Sequence, residues 1–186
     1  DLATAIKTVS ANDWRLDGNS NGVIKSFGTI DSFDLPFVTN SVERMRITTS
    51  GEVMIAGTTD QGAYNLQVNG TGVWGAGAYV NGSDERIKEN IEELGSCLEA
   101  VKAMRPVTYQ YKRSYSKDQN VQPGFIAQEL QEVLSGKNYL DGVVQKGPRY
   151  LNVAYQNLIP VLTKAIQEQQ EQISQLRAEL DALKGA

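Results

Sequence analysis

A heptad repeat in the C-terminal part of the chain restricts the fold more than any other feature. Apolar residues recur at seven-residue spacing through four successive heptads, and the residues between them (QEQQEQ, SQ and RAE) are almost all polar. Such a narrow apolar stripe is typical of helices that pack on one another in a coiled coil. Position a holds Ile159, Ile166, Ile173 and Leu180, and position d holds Leu162, Gln169, Leu176 and Leu183.

The repeat predicts a coiled-coil helix over about residues 154–184. The alternative is one amphipathic helix packed on its own domain, but nothing else in the chain is large enough to cover so long a helix. Isoleucine at a with leucine at d permits dimers, and a buried Gln169 would fix the register and the number of chains. The pattern therefore predicts an oligomer without deciding which one.

Composition excludes several classes of function. The 186 residues have a net charge of −4 and a pI near 5, so the chain lacks the basic surface that nucleic acid or an anionic membrane would attract. No apolar run approaches the ~20 residues that span a bilayer. The chain begins with Asp1, and we expect it to be part of a longer protein.

The residue types available for catalysis are few. Cys97 is the single cysteine and there is no histidine, which excludes an internal disulfide, a Ser-His-Asp triad and a Cys-His dyad. A zinc site also lacks its usual ligands, so we expect neither a metal nor a cofactor. Any chemistry must use a lysine or a carboxylate as its base.

Residues 1–82 have the composition of short β-strands. In ERMRITTSGEVMIAG, Met45 and Ile47 alternate with charges before a turn, and Val53 and Ile55 alternate after it. Strands so short bury too little surface for a monomeric sandwich, so they favour a fibrous β-structure in which several chains share one core. A small loop-rich β domain is the alternative. A second unit adds the inward candidates Leu66, Val68, Val73 and Tyr79.

Residues 83–186 change to an α+β composition. Ser96 is a candidate N-cap for the helix CLEAVKAM, VTYQYK alternates like a strand, and SYSKDQNVQPG is typical of a loop. DGVVQKGPRYLNV predicts a hairpin closed around residues 146–148. The predicted inward residues are Leu98, Val101 and Met104 in CLEAVKAM, and Ile126, Leu130 and Val133 or Leu134 in the amphipathic helix FIAQELQEVL.

The boundary between the two compositions reads GSDERIK, and two interpretations are open. In the first, Ser83 caps a helix whose first turn contains acidic residues, as in many helices. In the second, Ser83 is a nucleophile and Lys88 its base, because a serine needs a base and no histidine is present. A lysine accepts a proton only in its neutral form, which burial or a nearby cation such as Arg86 favours. Gly82 leaves the preceding carbonyl unshielded.

Helical geometry speaks against a simple dyad. Five residues of regular α-helix rotate a side chain by about 140°, so Ser83 and Lys88 would not face each other. Either this segment is not a regular helix, or the serine of one chain meets the lysine of another. In the second case the chemistry would depend on oligomerisation.

Four blocks in order resemble a known family. SDERIKENI, PVTYQYK, GFIAQELQEVL and YLNVAYQNLIPVLTKAIQEQQEQI are similar to the C-terminal intramolecular chaperone domain of phage tailspikes and tail fibres. Phage endosialidases, neck appendage proteins and the myelin regulatory factor have this domain. The resemblance runs from about Ser83 to the end of the chain. Upstream, ERMRITTSGEV resembles the short β-repeats of phage fibre proteins.

The resemblance implies a function and a site. Such a domain forms a homotrimer, assists folding of the upstream β-trimer and then cuts itself off, here between Gly82 and Ser83. Ser83 is implied as the nucleophile and Lys88 as the general base, with Asp84 and Arg86 as possible helpers. It also implies assembly in the host cytoplasm, a mature fibre in the virion tail and a released chaperone.

Two other function classes remain open at this point. One is a structural registration domain that trimerises and never cleaves. The other is a fibre tip that binds a host-surface receptor or a glycan, with Trp14 and Trp74 as stacking surfaces. The aromatic residues are scattered, which is more typical of core positions than of a binding surface.

Overall fold

The upstream part forms one small sheet. The structure is a computed structural model that describes residue 20 and residues 22–70, 72–78 and 80–185, so Trp14 and Tyr79 lie outside the described residues. The sheet has the order β1-β2-β3-β4, antiparallel except for the parallel pair β3–β4. The two alternating segments predicted on either side of a turn are β2 and β3, which pair as a hairpin. Its strands are β1 (Leu35–Thr39), β2 (Val42–Ile47), β3 (Val53–Ile55) and β4 (Leu66–Val68).

The inward face of this sheet differs from the prediction. Met54 and Gln67 are its buried residues, whereas Leu66 and Val73, predicted to point inward, are exposed. Met54 lies opposite Gln67 in the register, and Gln67 satisfies its amide within the turn before β4. On the opposite face Leu66 is exposed in the single chain, and Val53, Ile55 and Val68 are half-buried.

The downstream part is α+β, as predicted. Two antiparallel two-stranded sheets, β5–β6 and β7–β8, accompany the helices, and β7–β8 is the hairpin predicted around residues 146–148. Strand β6 lies entirely within the stretch SYSKDQNVQPG, so the prediction of a loop was wrong for its last three residues, which pair with β5. The elements are α1 (Leu98–Ala103), β5 (Val107–Tyr109), β6 (Gln122–Gly124), α2 (Ala127–Val133), α3 (Leu140–Val143), β7 (Val144–Lys146), β8 (Leu151–Val153) and α4 (Leu158–Lys184), with short 3-10 turns at Glu85–Ile87 and Tyr155–Asn157.

The apolar core lies among α1, α2, the α3–β7 segment and the first turns of α4. Ile126 does not join it and is 38 % exposed, because this residue precedes α2 in an extended conformation and is not on the helix face. The buried core residues are Cys97, Met104, Leu130, Leu134, Val143, Val144, Leu158, Val161 and Ala165.

The long helix α4 confirms the predicted C-terminal helix. Its 27 residues contribute buried side chains only through the first turns. Beyond them the heptad stripe is exposed in the single chain, with Ile173 39 % and Leu176 63 % exposed. The coiled coil with neighbouring chains stays a prediction. Even this helix lacks the apolar stretch that a membrane crossing requires, and no other described helix has one.

The N-terminus of α1 is capped by a residue that is distant in the sequence. Ser96 was predicted to cap this helix, but its hydroxyl instead donates to Glu168 of α4 at 3.0 Å. The same carboxylate accepts the backbone N–H of Leu98 at 2.9 Å and that of Cys97 at 3.1 Å. These amide donors, above all that of Leu98, hold the pKa of Glu168 below its ordinary value. The prediction for Ser96 was wrong because the long helix supplies the cap.

Candidate active site

The segment GSDERIK is not an α-helix. It contains one 3-10 turn at Glu85–Ile87, bounded by Asp84 and Lys88 in extended conformations. The backbone N–H of Lys88 donates to the carbonyl of Glu85 at 3.0 Å, after which the chain leaves the turn. The objection from α-helical rotation therefore does not apply to this segment.

The turn brings Ser83 and Lys88 of the same chain together. The ammonium Nζ of Lys88 donates to Oγ of Ser83 at 2.8 Å. The interpretation of Ser83 as the N-cap is wrong, since Asp84 is the cap and accepts the backbone N–H of Arg86 at 2.9 Å. Ser83 is thereby left outside the turn, with its hydroxyl facing the lysine.

Asp84 and Arg86 form an ion pair beside the two residues. The guanidinium of Arg86 donates to both carboxylate oxygens of Asp84, at 2.9 and 2.6 Å. These bonds and the backbone amide of Arg86 lower the pKa of Asp84, and the carboxylate raises the pKa of Arg86. The charge of Arg86 is thus offset by its neighbour instead of acting on Lys88. Asp84 and Arg86 shape the turn and do not contact the Ser83 hydroxyl.

The two residues on the N-terminal side of the Gly82–Ser83 bond also make contacts. The amide Nδ2 of Asn81 donates to Oε1 of Gln156, in the 3-10 turn that precedes α4, at 3.2 Å. The side chain of Ile87 lies over Gly82, with its Cδ1 3.1 Å from the place that a Cβ of Gly82 would occupy. A side chain at position 82 would press on the end of the Ile87 side chain, which would have to give by a few tenths of an ångström.

Ser83 and Lys88 are both solvent-exposed in the single chain. Nζ of Lys88 lies 2.8 Å from Oγ of Ser83, which is hydrogen-bond distance. A neutral amine at this distance can accept the proton of the hydroxyl. Neither side chain is enclosed by the protein in the single chain. The geometry for nucleophilic chemistry is present, while the environment that activates it is not supplied by the single chain.

Sequence reasoning missed Gln156 and the role of Ile87. Gln156 acts across 75 residues of sequence, and nothing in the local sequence YQN distinguishes it from any polar residue before a helix. Ile87 belongs to the motif SDERIKENI, but the sequence assigned it no role of its own. The combination of a glycine and an apolar residue five positions later could have suggested the contact.

The comparisons with known proteins agree with the resemblance read from the motifs. Residues 83–138 match a peptidase family described as the chaperone of endosialidase, and the match begins at Ser83 itself. A search of curated proteins gave no match. Residues 83–138 are therefore similar to the chaperone-of-endosialidase family.

Proposed function

We propose that this chain is the C-terminal part of a phage tail fibre or tailspike, and that its chaperone domain assembles three chains, folds the upstream β-structure and then cuts the Gly82–Ser83 bond. The observation that carries the proposal is the 2.8 Å contact between Nζ of Lys88 and Oγ of Ser83, at the first residue of the matched domain. The exposed heptad stripe on α4 supports the assembly step.

The proposed reaction uses only groups of the chain and one water. Neutral Lys88 takes the proton of the Ser83 hydroxyl while Oγ attacks the carbonyl carbon of Gly82. The C–N bond breaks, Lys88 returns the proton to the leaving nitrogen, and an ester joins Gly82 to Oγ of Ser83. Water then hydrolyses the ester, which leaves a carboxylate at Gly82 and a free amino terminus at Ser83.

We propose that assembly supplies the missing activation. In the single chain Lys88 is exposed, and the guanidinium of Arg86 is paired with the carboxylate of Asp84. Packing of neighbouring chains along α4 and around the cleavage segment would remove water from the pair. Cleavage would then wait until the trimer has formed.

The need for a chaperone follows from the upstream sheet. Its strands are three to six residues long and leave Leu66 exposed in the single chain. Contacts shared between chains are non-local, so they form slowly and expose apolar surface to aggregation in the meantime. A trimeric helix bundle that forms first would hold three upstream segments in register. After cleavage the folded fibre would be retained by a kinetic barrier.

A refolding time course followed on a denaturing gel tests the proposal. The wild-type chain should give fragments of about 9 and 11 kDa, in proportion to its total of 20.4 kDa, with a rate that rises with protein concentration. Ser83→Ala should remain whole. Lys88→Arg should also remain whole, because arginine keeps the charge and the donor but cannot accept a proton.

Lys102→Arg is the matched control for the lysine variant. Lys102 is exposed and paired with Glu99, away from the cleavage segment, so this variant should cleave like the wild type. A wild-type chain that stays intact after complete trimerisation would contradict the self-cleavage and favour a registration domain that never cleaves. A rate independent of concentration would contradict the dependence on assembly.

A further inference from the structure

The upstream part contacts the chaperone domain through residues outside the cleavage segment. The hydroxyl of Tyr64 donates to Oε1 of Gln145 in β7 at 2.8 Å, across 81 residues of sequence. Tyr64 follows the turn that leads into β4. This hydrogen bond joins the two parts without passing through the Gly82–Ser83 bond.

Backbone atoms of the two parts also approach closely beside this hydrogen bond. A Cβ added to Gly147 would lie 3.0 Å from the carbonyl oxygen of Gln61, and one added to Gly62 would lie 3.5 Å from Cδ of Pro148. The connection of the β7–β8 hairpin is therefore packed against the upstream turn. We call residues 61–64 against residues 145–148 the docking contact.

The upstream side of the docking contact exists only when β4 is in place. The buried amide of Gln67, in the middle of β4, accepts the backbone N–H of Gln61 at 2.7 Å and donates to the carbonyl of Gly62 at 3.0 Å. Asp60 fixes the same turn by accepting the backbone N–H of Gly62 at 2.7 Å and the side-chain amide of Gln67 at 3.1 Å. Because Gln67 of β4 fixes this turn, the turn indicates that the upstream sheet has folded.

A second surface extends the contact toward the β5–β6 connection. The end of β4 and the residues after it, including Val68 and Asn69, line one side of a cleft whose other side includes Tyr111 and Tyr115. The two tyrosine rings pack on each other with centroids 5.2 Å apart, and Tyr115 packs on Tyr150 of the hairpin connection. One aromatic cluster thus lies beside the docking contact and beside the cleft that adjoins it.

We propose that the docking contact is a noncovalent interface by which the chaperone domain recognises the folded upstream turn and holds it after the Gly82–Ser83 bond is cut. Release of the chaperone is then a second step, slower than cleavage and controlled by residues 61–64 and 145–148. This inference rests on the proposed self-cleavage, and it adds a client-recognition surface to it.

Retention of the fragments can be measured on the full chain with an N-terminal tag. After wild-type cleavage, the 83–186 fragment should stay on the affinity resin with the tagged fragment and leave slowly during washing. Tyr64→Phe and Gln145→Leu should each speed its loss by about two- to tenfold, as expected for one hydrogen bond, and the double variant should be no faster than the quicker single one. Asp60→Ala should speed the loss as well, because it loosens the turn.

Tyr150→Phe is the matched control, since it removes a tyrosine hydroxyl from the same hairpin connection and keeps the ring contact with Tyr115. Its fragment should be retained like the wild type. Cleaved wild-type fragments that separate as fast as those of the double variant would overturn the docking contact and leave the self-cleavage intact.

Hydrogen exchange separates failure of the docking contact from failure of the self-cleavage. In Ser83→Ala, which should stay whole, Gln145→Leu should increase exchange of the amides at residues 61–64, and Tyr150→Phe should not. This result is expected even if the wild-type chain does not cleave, in which case only the proposed function fails. Equal exchange in the two variants would overturn the docking contact.

Discussion

Replacing Gly124 with alanine adds one methyl group at the point where β6 meets the turn that precedes α4. The added carbon would collide with the hydroxyl oxygen of Tyr155 and lie 2.9 Å from Cε1 of Tyr109. The same hydroxyl accepts the backbone N–H of Phe125 at 3.0 Å, so Tyr155 cannot move away without losing that bond. The next residue, Gln156, holds the segment before the cleavage bond through Asn81.

The expected cost combines three effects. Overpacking of this kind costs about 1–3 kcal/mol. Loss of the Phe125–Tyr155 hydrogen bond adds about 0.5–1.5 kcal/mol. Removing a glycine from a strand returns about 0.5–1 kcal/mol. We therefore expect Gly124→Ala to lower the free energy of unfolding by about 2 kcal/mol.

Urea unfolding at fixed protein concentration measures this cost, with Ser83→Ala as the background so that the chain stays whole. Tyr155→Phe alone should lower the free energy of unfolding by about 1 kcal/mol. In the Tyr155→Phe background, Gly124→Ala should cost at least about 1 kcal/mol less than in the presence of Tyr155, because the colliding oxygen and its hydrogen bond are already gone. Gly95→Ala, where an added methyl meets nothing within 4 Å, is the control. Additive costs for the two substitutions would refute the reasoning.

Three further predictions concern the cap, the cleavage segment and the core. The pKa of Glu168 is lowered by folding from its ordinary 4.5, so its stabilising effect is present above that pH and lost as the pH falls through the folded value. Glu168→Gln should therefore lower Tm at pH 7, and this effect should shrink as the pH falls below 4.5. Gly82→Ala should slow cleavage by about tenfold through displacement against Ile87, whereas Gly77→Ala, with open space around the added methyl, should cleave at the wild-type rate on a gel. Leu134→Ala, at a fully buried position, should cost about 2–5 kcal/mol in urea unfolding.

The long helix and the hairpin could be predicted because their signals repeat or are local. Four heptads with one polar exception define α4 almost without ambiguity. The β7–β8 hairpin follows from a Gly-Pro pair between two apolar runs. In both cases the pattern is confined to the residues that form the element.

The faces of the upstream strands could not be predicted from alternation alone. A strand of three residues offers a single alternation. The pattern of β4 therefore does not determine whether Gln67 or its two apolar neighbours are the buried residues. Gln67 is buried because the turn at residues 60–64 satisfies its amide, and that turn is not visible as a motif. Residues that point outward in one chain can still be covered by another.

The sequence predicted which residues form the candidate site, but not how they are arranged. The dyad candidates Ser83 and Lys88 followed from the lack of histidine and from the resemblance. Their approach depends on a 3-10 turn that Asp84 caps, and a short turn of this kind has no periodicity to read. Gln156 and Glu168 act over 75 and 70 residues of sequence, so no local pattern reveals them.

The central claim is that Ser83 cuts the bond before it with Lys88 as the base. Intact-mass spectrometry of the purified wild-type chain, with sequencing of the new amino terminus, tests it most directly. The account predicts two products, one that ends in the carboxylate of Gly82 and one that begins with the free amine of Ser83, and a whole chain for Ser83→Ala and Lys88→Arg. A new terminus at any other residue, or cleavage that persists in Lys88→Arg, would contradict it.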